Sequence, residues 1–193
     1  SVVARGLAAF SLGTDTAGSG RVPAGFNNIV GLKPTKGWFS TAGVVPACRT
    51  LDCVSIFALT VADAALVAEV AGGFDERDPY SRAMPAGASL PWPTAPRIAI
   101  PATLEFFGDT QAAAVFDDAV RALQAAGAEV AAIDFAPFNE LAALLYQGPW
   151  VAERFAAVQA LWQESPEAIN PVVRGIVEQA ANYSALDALS LIH

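Results

Sequence analysis

Between Arg97 and Ile133 the hydrophobic period changes twice. Arg97 to Ile100 alternates as a strand does. Thr110 to Ala126 then places Ala113, Phe116, Val120 and Leu123 on one helical face, with Gly127 as its stop. Val130 to Ile133 returns to a strand pattern. Strand, helix, strand in that order predicts a crossover unit on a parallel or mixed sheet, and so an α/β class. Further helices are predicted at Asn139–Tyr146, Pro149–Glu164, Pro171–Asn182 and Ser184–Ser190, with Pro149 and Pro171 in first-turn positions.

Residues 1–59 have another texture, rich in Gly, Thr, Ser and Pro. Leu7 to Leu12 is a short apolar run ending at Gly13 and predicts a buried strand. Asn28 to Leu32 predicts a second strand, stopped at Pro34. Thr60-Val61-Ala62-Asp63 is a capping pattern ahead of the stripe Ala64, Val67, Ala68, Ala71, and Gly72-Gly73 ends that helix. Tyr80 to Pro96 holds Pro85, Pro91, Pro93 and Pro96 and reads as an extended connection. The chain therefore divides into 1–79, a connection at 80–96, and 97–193.

Composition removes several function classes. The formal net charge is −8, with only two lysines, Lys33 and Lys36. Nucleic-acid binding needs clustered Lys and Arg, so it is not expected. The one histidine is His193, the last residue, which disfavours Ser-His-Asp and Cys-His hydrolases and His-rich zinc sites. The most apolar stretch, Val54 to Gly73, is broken by Thr60, Asp63 and Glu69, so no membrane span is expected. No signal peptide is visible. Cys48 and Cys53 are too few for a disulfide framework, and buried free thiols in a reducing cytoplasm are the expected state. The 193 residues fit one domain, yet the start at Ser1 and the end at Ile192-His193 are expected of a piece of a longer protein.

The segment richest in chemistry is Gly13-Thr14-Asp15-Thr16-Ala17-Gly18-Ser19-Gly20-Arg21-Val22-Pro23-Ala24. Small residues let a substrate approach the backbone, and several N–H groups can converge beside one serine. Such an array is an oxyanion hole with its nucleophile. A phosphate loop would need lysine where Ser19 stands. A Gly-x-Ser-x-Gly elbow is disfavoured by Ala17 and Arg21 at its outer positions. A plain turn is the remaining alternative for an isolated Gly-Ser-Gly. Asp15 and Arg21 flank the loop and are expected to clamp it as an ion pair.

The longer pattern resembles the amidase signature family. The loop is followed by Gly31-Leu32-Lys33-Pro34-Thr35, Gly43-Val44-Val45-Pro46, Leu51-Asp52 and Thr60-Val61-Ala62-Asp63-Ala64-Ala65, in family order across residues 1–73. The resemblance implies a mixed twisted β-sheet sandwiched between α-helices, present here as a partial domain. It also implies a Ser–Ser–Lys mechanism. Ser19 matches the nucleophile, and the backbone N–H groups of Thr16, Ala17, Gly18 and Ser19 match the oxyanion donors. The bridging serine and the lysine base are expected upstream of Ser1. Neither Lys33 nor Lys36 matches that lysine. A lysine can act as base if burial lowers its pKa towards neutrality.

Within the family, Ala17-Gly18-Ser19-Gly20-Arg21 and Val45-Pro46-Ala47-Cys48-Arg49-Thr50-Leu51-Asp52-Cys53-Val54-Ser55-Ile56-Phe57 resemble the allophanate hydrolases, which also form one half of urea amidolyases. Allophanate is a urea bearing a carboxylate, and arginine matches a carboxylate fork better than lysine does. Arg154 is the candidate, with Tyr146 across the hinge Gly148-Pro149. The resemblance assigns this Tyr and Arg to the substrate carboxylate. On residue type alone, Arg154 reads instead as a surface arginine pairing with Glu153 or another acid. Trp150, Phe155 and Trp162 are expected in the core, and Asp75, Glu76 and Asp78 in a solvated loop.

The resemblance thus implies an amide hydrolase in the cytoplasm acting on a small molecule, allophanate. No metal or organic cofactor is expected, no nucleic acid and no membrane. The full-length enzyme is expected to be a homodimer and the isolated chain inactive. Two alternatives stand beside it: a signature amidase for another small amide, and a non-catalytic amidase-fold subunit of an amidotransferase assembly.

Overall fold

The computed structural model describes residues 1–84 and 93–190. His193 and the middle of the expected Tyr80–Pro96 connection lie outside the described residues. The chain forms two compact units, one of residues 1–86 with 145–193 and the other of residues 87–144. Residues 145–193 belong with the first block, because side chains of the two segments bond to each other, as the site shows.

The first unit is built on a three-stranded antiparallel sheet of order β1-β3-β2, with β1 at Phe10–Thr14, β2 at Val30–Leu32 and β3 at Val54–Ala58. Phe10 pairs with Ala58 and Thr14 with Val54 on one side of β3, and Val30 pairs with Ala58 on the other. Among the described strands β3 alone is paired on both sides, and Ser55, Ile56 and Ala58 are buried. Sequence reading overlooked it, since Val-Ser-Ile-Phe-Ala lacks the alternation of a half-exposed strand. The strand expected at Leu7–Leu12 begins three residues later and is not buried. It is an edge strand, and alternate residues Phe10, Leu12 and Thr14 are exposed.

Helix α1 (Arg21–Phe26) follows the serine loop directly. Pro23 hid it from sequence reading. In the first turn, however, backbone N–H groups have no helical acceptor, so proline forfeits nothing there. Helix α2 (Val61–Ala71) starts as expected, with the Thr60 hydroxyl accepting from the Asp63 N–H at 3.1 Å. Ala64 and Ala68 are buried against Phe39, Ile56 and Ala58, with Trp38, Val30 and Leu32 at the margin. Ala71, expected on that face, is exposed.

Helix α5 (Trp150–Glu164) has Pro149 as its cap, one position earlier than the first-turn site expected. Phe155 and Trp162 meet edge to face at 5.5 Å between ring centres. The helix expected over Pro171–Asn182 is α6 (Pro171–Val177) running into a 3₁₀ turn at Glu178–Asn182, and α7 spans Ala185–Ser190. Asn170 caps α6, accepting from the Val172 N–H at 2.9 Å.

The second unit holds the crossover. β4 (Arg97–Pro101) and β5 (Glu129–Ile133) pair in parallel, Ile98 opposite Val130, with α3 (Thr110–Ala125) between them in the chain. Ala113, Phe116 and Val120 form the half-buried face expected, while Leu123 is 42% exposed. Gly127 takes φ +94°, the left-handed conformation that stops helices. Helix α4 (Ala136–Gln147) runs out of this unit into the first. The fold is α/β, with the strands hydrogen-bonded as one antiparallel sheet and one parallel pair.

Candidate active site

β1 delivers the serine loop and β3 shapes it. The Ser55 hydroxyl donates to the Gly13 carbonyl at 3.0 Å, and the Asp15 N–H to the Cys53 carbonyl at 2.7 Å. Gly20 then lies on Ser55, where a Cβ would overlap the Ser55 hydroxyl and come within 3.0 Å of the Asp15 carboxylate. Only glycine permits that approach. Ser19 is exposed at the turn, and its hydroxyl makes no hydrogen bond among the described residues.

Asp15 organises the loop from beneath. It is fully buried, and Arg21 donates to it from Nε at 2.9 Å and from Nη2 at 3.1 Å. It also accepts the backbone N–H groups of Gly18, at 2.5 Å, and of Arg21, at 3.1 Å. Burial pulls its carboxyl upward, but Arg21 and these N–H donors outweigh burial and hold it below the usual carboxylate range. The expected clamp is thus present.

Asp15 also alters the expected donor set. The Gly18 N–H is already bonded inward, while those of Thr16, Ala17 and Ser19 have no partner among the described residues. Those three donors are available to an incoming oxygen.

Asp52, quoted in sequence only as part of a motif, is a second buried anchor. It accepts from the Thr16 hydroxyl at 2.6 Å, the Ala47 N–H at 3.0 Å and the Cys48 N–H at 3.1 Å. With Arg49, Asp78 and Tyr80 it also lines a cavity of about 300 Å³. Asp78 was expected in a solvated loop. It is buried instead, because it accepts the N–H and hydroxyl of Thr41 and the N–H of Tyr80. Asp75 likewise takes bonds from Ser40 and Arg77, and only Glu76 of the three is simply exposed.

The structure brings Tyr146 and Arg154 together. The guanidinium carbon of Arg154 stands 4.8 Å from the centre of the Tyr146 ring, within cation–π range. Its Nε is buried with no hydrogen-bond partner among the described residues. An unpaired buried donor costs about 1–3 kcal/mol, so the site favours an acceptor arriving there. Arg154 does not pair with Glu153. That carboxylate turns to the 48–50 loop, accepting from the Thr50 N–H at 3.0 Å, the Thr50 hydroxyl at 2.6 Å and the Cys48 thiol at 3.4 Å. Burial first, and then the Glu153 charge, push the Cys48 thiol up to about 12. Cys48 and Cys53 are both free and buried. No helix among the described residues is long and apolar enough to cross a membrane.

Comparison with known proteins adds the family. The Amidase family model matches residues 1–186. The urea amidolyase of Saccharomyces cerevisiae is 49% identical over 98% of this chain, which spans 10% of that protein. A solved allophanate hydrolase of Kluyveromyces lactis superposes with a TM-score of 0.92 at 45% identity, over 99% of this chain and 32% of that one. The solved urea amidolyase of K. lactis gives the same TM-score at 46% identity, and 12% of it is covered. The chain thus spans about a tenth of the urea amidolyases and about a third of the allophanate hydrolase it resembles.

Proposed function

The chain belongs to the amidase family, and we propose that it supplies the nucleophile and the carboxylate pocket of an allophanate hydrolase. One observation carries the choice of substrate: the buried, unpartnered Nε of Arg154 beside the Tyr146 ring. A planar guanidinium lacking an acceptor fits a carboxylate-bearing amide better than a neutral one.

In this reading Ser19 attacks the terminal urea carbonyl of allophanate. The N–H groups of Thr16, Ala17 and Ser19 take the developing oxyanion, and Gly18 joins only by sharing the hydrogen that Asp15 now accepts. Ammonia leaves, water releases the acyl group from Ser19, and the dicarboxylated amine decays to ammonia and carbon dioxide. The serine needs a base, and the family resemblance assigns that task to a lysine acting through a second serine. The two buried free cysteines fit work in a reducing cytoplasm.

The test is ammonia release from allophanate by the intact protein carrying Ser19→Ala. Turnover should be abolished, and near-normal turnover would remove Ser19 as nucleophile. Comparing allophanate with biuret, malonamate and simple amides tests the substrate. Equal kcat/KM across the set would reject a carboxylate pocket.

A further inference from the structure

We infer that Glu153 is a positioning residue that sets Arg154 against the nucleophile loop through its hydrogen bonds to Thr50. The inference rests on the assignment of Arg154 to the substrate carboxylate. Glu153 and Arg154 are neighbours on α5, so whatever fixes one fixes the register of the other. The Glu153 carboxylate spends both oxygens on Thr50, one on its N–H and one on its hydroxyl, and Cys48 adds its thiol to the first. Two residues further along, Asp52 binds the Cys48 N–H on one hand and the Thr16 hydroxyl on the other.

The bonds form a continuous path: Arg154 and Glu153 on α5, then Thr50 and Cys48, then Asp52, then Thr16 in the serine loop. Each link is short, and Asp52 and Cys48 are buried. Arg154 itself makes no ion pair among the described residues that could hold it in place. Its position therefore follows that of the helix, which Glu153 ties to the 48–50 loop. Misplacement of a binding group by about 1 Å is enough to cost two orders of magnitude in an active site.

The measurement is KM and kcat for allophanate in the intact protein. Glu153→Ala should raise KM about tenfold with kcat within about threefold. Glu153→Gln should stay near normal, because its amide oxygen can accept the Thr50 N–H while its amide N–H donates to the Thr50 hydroxyl. Adding Glu153→Ala to Arg154→Ala should raise KM no further. Thr50→Val cuts the same link from the other side, and answers the question if Glu153→Ala does not fold. A normal KM in Glu153→Ala, or in Thr50→Val if the former does not fold, overturns the inference. So does an additive double variant. So does a Gln variant as impaired as the Ala variant, which would mean that charge rather than geometry matters. An unchanged KM in Arg154→Ala overturns the carboxylate pocket itself, whereas a raised one beside a normal Glu153→Ala overturns only the positioning role.

Discussion

Asp15 and Arg21 face each other across the turn that carries Ser19, joined by two side-chain bonds of 2.9 and 3.1 Å. The aspartate is fully buried, while the arginine side chain is 53% exposed. The pair is therefore anchored on its carboxylate, whose further bonds reach the loop backbone. Asp15→Asn keeps the shape but leaves an amide group against donors. We expect a loss of about 2 kcal/mol, the scale of hydrogen bonds to a charged group. A urea midpoint unchanged from the parent protein would contradict this.

The same carboxylate makes stability sensitive to acid. Its pKa is lowered in the folded protein, as is that of buried Asp78, where Thr41 and the Tyr80 N–H outweigh burial. Such groups stabilise fully above the ordinary value of 3.8 and lose that contribution as pH falls through the folded value. The unfolding midpoint should therefore drop below pH 3.8, and Asp15→Asn should flatten that drop. An equally steep acid limb in the variant would exclude Asp15 as a source.

Cys48 acts in the opposite range. Its folded thiol is raised from 9.0 to about 12, so its contribution is whole below pH 9.0 and is lost as pH climbs towards 12. At pH 8 the native protein should leave Cys48 unalkylated by iodoacetamide, and urea-unfolded protein should react fully. Rapid native labelling, read by peptide mass, would show that the burial is not maintained.

Two glycines five residues apart, Gly20 and Gly25, should behave in opposite ways. Gly20→Ala forces a Cβ into Ser55, and overpacking of that kind costs about 1–3 kcal/mol. Gly25→Ala meets nothing within 4 Å inside α1 and should stabilise by about 0.5–1 kcal/mol. Thermal midpoints of both variants check the contrast, and similar shifts in the two would refute the close approach at Gly20.

Much of this was legible in the sequence, for reasons that differ from place to place. The α2 cap and the β4–α3–β5 crossover were readable because periodicity and caps are local signals. So was the Asp15–Arg21 clamp, since opposite charges bracket one short turn. β3 was not readable, because a strand buried on both sides has no alternation to detect. Glu153 was unreadable for another reason. Its partners lie about a hundred residues away in the chain, and a single carboxylate beside an arginine looks like that arginine's own counter-ion. The inward bond of Gly18 was unreadable because a backbone N–H leaves no mark in a sequence. Only the placement of Asp15 beneath it reveals that this donor is in use.

The order of the three-stranded sheet has a consequence for how the chain acquires its shape. β1 and β2 lie on either side of the serine loop in sequence, yet they never pair with each other, and both wait for β3. Ser19 therefore cannot reach its final setting while only the segments around it have been made. Ser55, Cys53 and Asp52 must first leave the ribosome, since they supply the contacts that bend the loop. Non-local pairing of this sort is slow to form. Ser19 is synthesised before Ser55, Cys53 and Asp52, and it has to wait for those later residues before its loop is set.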